Sequence, residues 1–256
     1  MRRMFITLLV LFSAFAGPGV AQEVIASLTQ NRISITANFD GSEITIFGAV
    51  KRDAPVGDEA LGIVIAVSGP DKPVVVRRKE KQAGIWINTD AVEVDAAPSF
   101  YAVSTSGPIR EVLSDTDDLR HRISIPRAIR SVGAPMGIEN PESFTEALIR
   151  IRTKSNLYQH NEGAVLLEEA TLFQTSVALP ANLIEGDYTA RIFLTSAGRV
   201  ISQFDAHIDV RKVGLERFLY NLAHDKPVIY GLLSLFIAIV AGWGASAFFR
   251  YLQNRG

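Results

Sequence analysis

A mainly β fold joined to one C-terminal membrane-spanning helix is what this sequence predicts. Three observations lead there. Short β-branched runs separated by Gly, Pro, Asn and Asp recur between residues 32 and 103, and again between 165 and 210. A helical pattern interrupts them once, within residues 106–163. Finally, Pro227 to Phe249 is a stretch of 23 residues without a charge, long enough to cross a bilayer as a helix.

Composition narrows the class further. The chain has 256 residues, 48% hydrophobic and 21% charged, which is enough apolar material for a core. Its 26 basic against 27 acidic side chains lack the basic surplus of a nucleic-acid binder. With no cysteine there is no disulfide framework, thiolate zinc site, c-type haem attachment or cysteine nucleophile.

Residues 1–21 read as a signal peptide. Arg2 and Arg3 open it, Phe5 to Ala16 is an apolar run of 12, and Gly19 and Ala21 place small residues before a cut after Ala21. Twelve apolar residues are too few to span a bilayer. Export of residues 22–226 is the expectation, with 250–256 left in the cytoplasm. The exported part carries 22 basic and 27 acidic residues, a net charge of −5.

Within 22–105 the grammar is that of a β-sandwich module. Arg32 to Thr36 alternates, Asn38 to Ser42 is turn chemistry, and Glu43 to Phe47 alternates again, which predicts a hairpin. Ile63 to Val67 is a β-branched run suited to a central strand. Val74 to Val76, Ile85 to Ile87 and Phe100 to Val103 follow, with turns between them. Residues 106–163 form a helical connecting segment. One helix is predicted over Ile109 to Leu119, and another from Asn140-Pro141-Glu142, with a face of Phe144, Leu148, Ile151 and Tyr158 and Gly163 past its end. Residues 164–212 return to strands. They are either a second β module or the completion of the first, and Leu179 to Val210 has the pattern of a closing meander of an immunoglobulin-like sandwich.

Leu215, Phe218, Leu219, Leu222 and Ala223 then mark one face of an amphipathic helix over 213–226, fit to lie in the membrane interface or to pack on the exported domain. In the span at 227–249, Ser234, Ala238, Gly242 and Ser246 recur at every fourth position. Small residues on one stripe let a second helix approach closely, so this stripe is a candidate packing face for another membrane protein.

Several stretches, taken in order, resemble a known family. They are Val75-Val76-Arg77-Arg78-Lys79 with Gly84-Ile85-Trp86-Ile87-Asn88, Phe100-Tyr101-Ala102-Val103, Leu179-Pro180-Ala181-Asn182 with Gly186-Asp187-Tyr188-Thr189, and the close from Val213-Gly214 through Tyr230-Gly231 to Ala241-Gly242-Trp243. This series resembles the alphaproteobacterial single-span transmembrane protein family of unassigned function. The resemblance implies a bacterial inner-membrane protein facing the periplasm and suggests a transport context. No active site comes with it.

Motifs for chemistry are absent. His121, His160, His207 and His224 stand in no metal-ligand spacing. Asp115, Asp117 and Asp118 lack the Gly and Glu that a calcium loop requires, which leaves a solvated acidic turn. No GxSxG, Walker loop or GxGxxG occurs, so no enzyme activity and no cofactor is expected. The leading expectation is an interaction or ligand-binding module accessory to another membrane protein. The alternatives are an envelope hydrolase whose carboxylate pair is brought together only by folding, and a passive envelope scaffold. One cluster rises above this background: Arg77, Arg78 and Lys79, with Lys81, followed by Trp86. Guanidinium forks suit carboxylate, sulfate or phosphate, so the cluster is a candidate site for an acidic partner, anionic lipid or small anion. The competing expectation is a charge-protected hairpin turn with Trp86, which alternates with apolar neighbours, in the core.

Overall fold

A computed structural model describes residues 22–36, 39–52, 60–131, 138, 140–213 and 215–253. The segment read as a signal peptide lies outside them. From the N-terminal side the elements are β1 (Gln22–Leu28), β2 (Arg32–Ile35), β3 (Gly41–Arg52), β4 (Leu61–Ser68), β5 (Asp71–Gln82), β6 (Ile85–Pro98) and β7 (Tyr101–Thr105). Helices α1 (Ile109–Val112), α2 (Asp115–His121), α3 (Ile125–Ala128) and α4 (Glu142–Lys154) come next. Then follow β8 (Tyr158–Asn161), β9 (Leu166–Glu168), β10 (Leu172–Pro180), β11 (Gly186–Ser196) and β12 (Arg199–Lys212), and finally α5 (Leu215–Asp225) and α6 (Pro227–Gln253). The described residues fall into two compact units. One draws on Met1–Ile33 and Asp40–Val210, the other on Ser34–Phe39 and Arg211–Gly256.

In the first unit the strands sort into a four-stranded sheet, β1-β3-β10-β9, a six-stranded sheet, β2-β12-β11-β4-β7-β8, and the separate hairpin β5-β6. The smaller sheet is antiparallel throughout. In the larger one β4 lies between β11 and β7, antiparallel to both, and β8 adds in parallel to β7. Along β2 the Asp209 N–H donates to the Asn31 carbonyl (2.9 Å) and the Val213 N–H to the Ile35 carbonyl (2.8 Å). Both partners advance together, which is parallel pairing with β12.

Because β4 is covered on both faces, it is an unbroken apolar run rather than an alternating one. Val64 and Ala66 join Tyr101, Val103 and Phe193 on one face, beneath Val76, Val92 and Val94 of the hairpin and Ile123, Phe144 and Leu148 of the helical segment. Ile63, Ile65 and Val67 alternate to the other face. On that side β1 lies against β11 and β10 against β7, and Val24, Ile44, Ile46, Phe173 and Val177 are buried. Each such side chain contributes roughly 1.5–3 kcal/mol on burial. With no disulfide, these apolar layers hold the unit.

Three polar devices fix the layers. The Arg191 guanidinium donates to the Tyr101 hydroxyl (3.0 Å) and to the His121 carbonyl (2.7 Å), and Tyr101 donates to the Ile123 carbonyl (2.8 Å). Arg152 donates to the Tyr158 hydroxyl (2.8 Å), which donates to the Pro98 carbonyl (2.9 Å). Near the start of β11 the Tyr188 hydroxyl donates back to the Ile184 carbonyl (2.9 Å).

Four expectations from the sequence are corrected. β2 and β3 do not form a hairpin but enter different sheets, because β3 is already paired on one side by β1, a strand the alternation did not reveal, and on the other by β10. The helix expected over Ile109 to Leu119 divides at Leu113, whose backbone is extended; Ser114 then caps α2 by accepting from the Asp117 N–H (3.3 Å). The helix α4 ends at Lys154 rather than near Gly163, and Tyr158 belongs to β8, while Ile151 on the expected apolar face is exposed. The Asp115–Asp118 turn is not simply solvated: Asp117 is buried and accepts from the Val200 N–H (3.0 Å), and Asp118 caps Ile123 and Ser124.

The second unit holds the two C-terminal helices. α5 follows the expected amphipathic segment, and Pro227 opens α6.

Candidate functional site

The candidate cluster around Arg77 lies on the β5-β6 hairpin. Its two strands close through Ala83 (φ 49°) and Gly84 (φ 88°), a two-residue turn with both residues left-handed. That geometry matches the right-handed twist of the flanking strands. At the base, Val76 pairs with Val92 and Val74 with Val94, and this end is packed into the core beside Phe144.

Arg78 is the clamp at the edge of that packed region. Its guanidinium lies 3.5 Å from the Asp90 carboxylate, donates to the Ser143 hydroxyl (2.8 Å), and sits 4.6 Å above the centre of the Phe144 ring. Just past it the register slips by one residue, the mark of a bulge, which bends and twists a strand pair. Beyond the slip, Lys79 faces Asn88, Lys81 faces Trp86 and Gln82 faces Ile85.

Every residue from Lys79 to Trp86 is exposed. Ile85 retains 65% and Trp86 68% of its accessible surface, so the expected burial of Trp86 is overturned. Its alternation with apolar neighbours is real, but no layer covers the end of the hairpin. Among the described residues, no ion pair engages Arg77, Lys79 or Lys81. The four candidates therefore separate: Arg78 ties the arm down, whereas Arg77, Lys79 and Trp86 face water.

The second candidate set lies on α6. Ser234, Ala238, Gly242 and Ser246 follow one another at four-residue steps along a single helix, which places them on one stripe. The Ser234 hydroxyl donates to the Tyr230 carbonyl (2.9 Å) and the Arg250 Nε to the Ser246 carbonyl (3.3 Å), so these polar groups close on their own helix. Pro227–Ser246 is long and apolar enough to cross a membrane. In α5 the Tyr220 and His224 rings stack at 4.0 Å.

Elsewhere the titratable groups are spread out. His121 packs edge-on to Phe193, and His160 bonds the Glu162 carboxylate (3.0 Å), which with the Ile109 N–H holds that carboxyl below its usual range. His207 lies with Arg32 and Thr189 in an open depression on the larger sheet. Among the described residues, no three His, Asp or Glu side chains come close enough to hold a metal ion.

A β-rich body on a chain with a C-terminal apolar helix defines the class, a membrane protein with one candidate span among the described residues. The chain belongs to the alphaproteobacterial family described as "Putative transmembrane protein (Alph_Pro_TM)", which it matches over residues 23–251. No curated protein matches the sequence. Among solved structures it is similar to Spo0M, a sporulation control protein of Bacillus subtilis, at 10% identity and a TM-score of 0.27, covering 79% of this chain and 54% of that one. It is also similar to an adhesin of Mobiluncus mulieris with disulfide, isopeptide and ester cross-links, at 10% identity and a TM-score of 0.26, covering 75% and 58%. The chain thus spans little more than half the length of either.

Proposed function

We propose that the chain is a membrane-anchored interaction module without catalytic activity, working as an accessory subunit of another inner-membrane protein in a transport context. The observation that carries this reading is the stripe of Ser234, Ala238, Gly242 and Ser246 along a helix long and apolar enough to cross a membrane, a face on which a second helix can approach closely.

The reading includes a single immunoglobulin-like sandwich facing the periplasm. Support comes from the strand order. Taking β1, β3, β10 and β9 as strands A, B, E and D, and β2, β12, β11, β4 and β7 as A′, G, F, C and C′, reproduces the immunoglobulin arrangement. The Tyr188 hydroxyl bond to Ile184 has the position of the tyrosine corner of that fold. Orientation rests on the basic start and short apolar run of residues 1–21, which favour export of the β-rich part.

The helix stripe provides the test. Replacing Ala238 and Gly242 with Leu puts bulk where a partner helix would approach. Purified in mild detergent, the native chain is expected to bring a membrane partner that the double variant loses. An unchanged set of co-purifying proteins would sink the reading.

A further inference from the structure

We infer that the tip of the β5-β6 hairpin docks into an anionic lipid surface, with Ile85 and Trp86 in the interface and Lys79 and Lys81 on the headgroups. The inference rests on the proposed reading of a membrane-anchored module and names what its exposed arm touches.

Geometry favours lipid over a protein surface. Ile85 and Trp86 are adjacent on a strand, so their side chains leave opposite faces of the arm. A rigid protein surface laid against one face would cover one of them and leave the other wet. A fluid interface surrounds the tip and takes in both. Trp suits the headgroup level because its ring is apolar and its N–H polar.

Charge is set at a matching height. Lys81 lies opposite Trp86, and Lys79 is two residues further from the turn. At about 3.3 Å per residue, Lys79 lies roughly 7 Å back, comparable to the 5–10 Å over which an interfacial segment sinks its apolar face. Glu80 is the single acid between Arg77 and Lys81, and Arg78 is engaged by Asp90, so the free charge at the tip is positive. The span makes the encounter intramolecular, which raises the effective concentration of lipid for a weakly binding tip.

Trp86 is its own probe. The sequence has 2 tryptophans, so Trp243→Phe leaves Trp86 alone. The full-length variant is reconstituted in phosphatidylcholine vesicles, with or without phosphatidylglycerol, and in matched vesicles brominated on the acyl chains. In phosphatidylglycerol vesicles Trp86 emission is expected to shift to the blue and to be quenched by bromine. Lys79→Glu with Lys81→Glu, tested in the same background, is expected to lower tip occupancy about fivefold or more for each lysine. Circular dichroism that matches the parent keeps that loss from being a folding defect.

Emission of a water-exposed Trp, unquenched in both lipids, would overturn the inference. So would a blue shift in phosphatidylcholine alone on adding inorganic phosphate or polyglutamate, which would assign the tip to a soluble anion or an acidic protein. The accessory reading fails separately: quenching of Trp86 with no partner lost from the Ala238→Leu, Gly242→Leu variant would sink that reading and leave this one standing.

Discussion

The Tyr101 phenol is pushed up to about 12, mainly by burial and against the pull of the Arg191 guanidinium beside it. Its folded-state value is above the ordinary 10.0, so its contribution is complete below pH 10.0 and is lost as pH rises through about 12. The shift corresponds to roughly 2–3 kcal/mol of stability. Urea unfolding followed from neutral to alkaline pH should show this fall. Tyr101→Phe should flatten part of it, while Tyr158 and Tyr188, also raised by burial, maintain the rest. A second residue makes the opposite prediction. Thr195 is 1% exposed and its hydroxyl has no partner. Valine has the same shape without that orphaned group, so Thr195→Val should stabilise by about 1 kcal/mol, read as a rise of about 2–4 °C in Tm.

Among the elements, the hairpin divides at Arg78, and its two halves should respond differently to substitution. Arg78→Ala removes the Asp90 pair, the Ser143 bond and the stacking on Phe144. It should cost about 1–2 kcal/mol in urea unfolding, because the bonds are charge-assisted and half-buried. Arg77→Ala should stay within about 0.5 kcal/mol of the parent, as exposed positions do. Neighbouring arginines in one basic run thus have different work, and the run itself cannot distinguish them. What separates them is Ser143 and Phe144 on α4, about sixty-five residues away in sequence. The strands were more legible because their signals are local: β10 alternates along its length, and β4, covered on both faces, is an unbroken apolar run between turn residues. β2 and β3 misled because a turn sequence between two alternating runs also fits a crossover between sheets. Trp86 misled for a related reason. Alternation places a side chain on a face but does not say whether anything lies over that face.

For the whole β-rich unit, the strand order bears on whether residues 22–105 and 164–212 are one module or two. β3, from the first segment, pairs with β10 from the second, and β4 pairs with β11. Taking away the second segment would remove β9, β10, β11 and β12, stripping the partner from one side of β4 and one side of β3. Ile63, Ile65 and Val67 would then lose β11 beside them, the smaller sheet would lose β10 and β9, and β2 would lose β12. The remaining strands could not repay the backbone entropy of about 1–2 kcal/mol per ordered residue. A fragment of residues 22–131 should therefore show no cooperative unfolding, and its amides should exchange freely with solvent. Co-expression with a fragment of residues 138–253 should restore both, since the break falls between α3 and α4 and leaves every strand pair available. Cooperative unfolding of 22–131 alone would mean that the first segment folds by itself, and the single-sandwich reading would fail. Its failure to fold, with recovery on complementation, would make the two segments halves of one core.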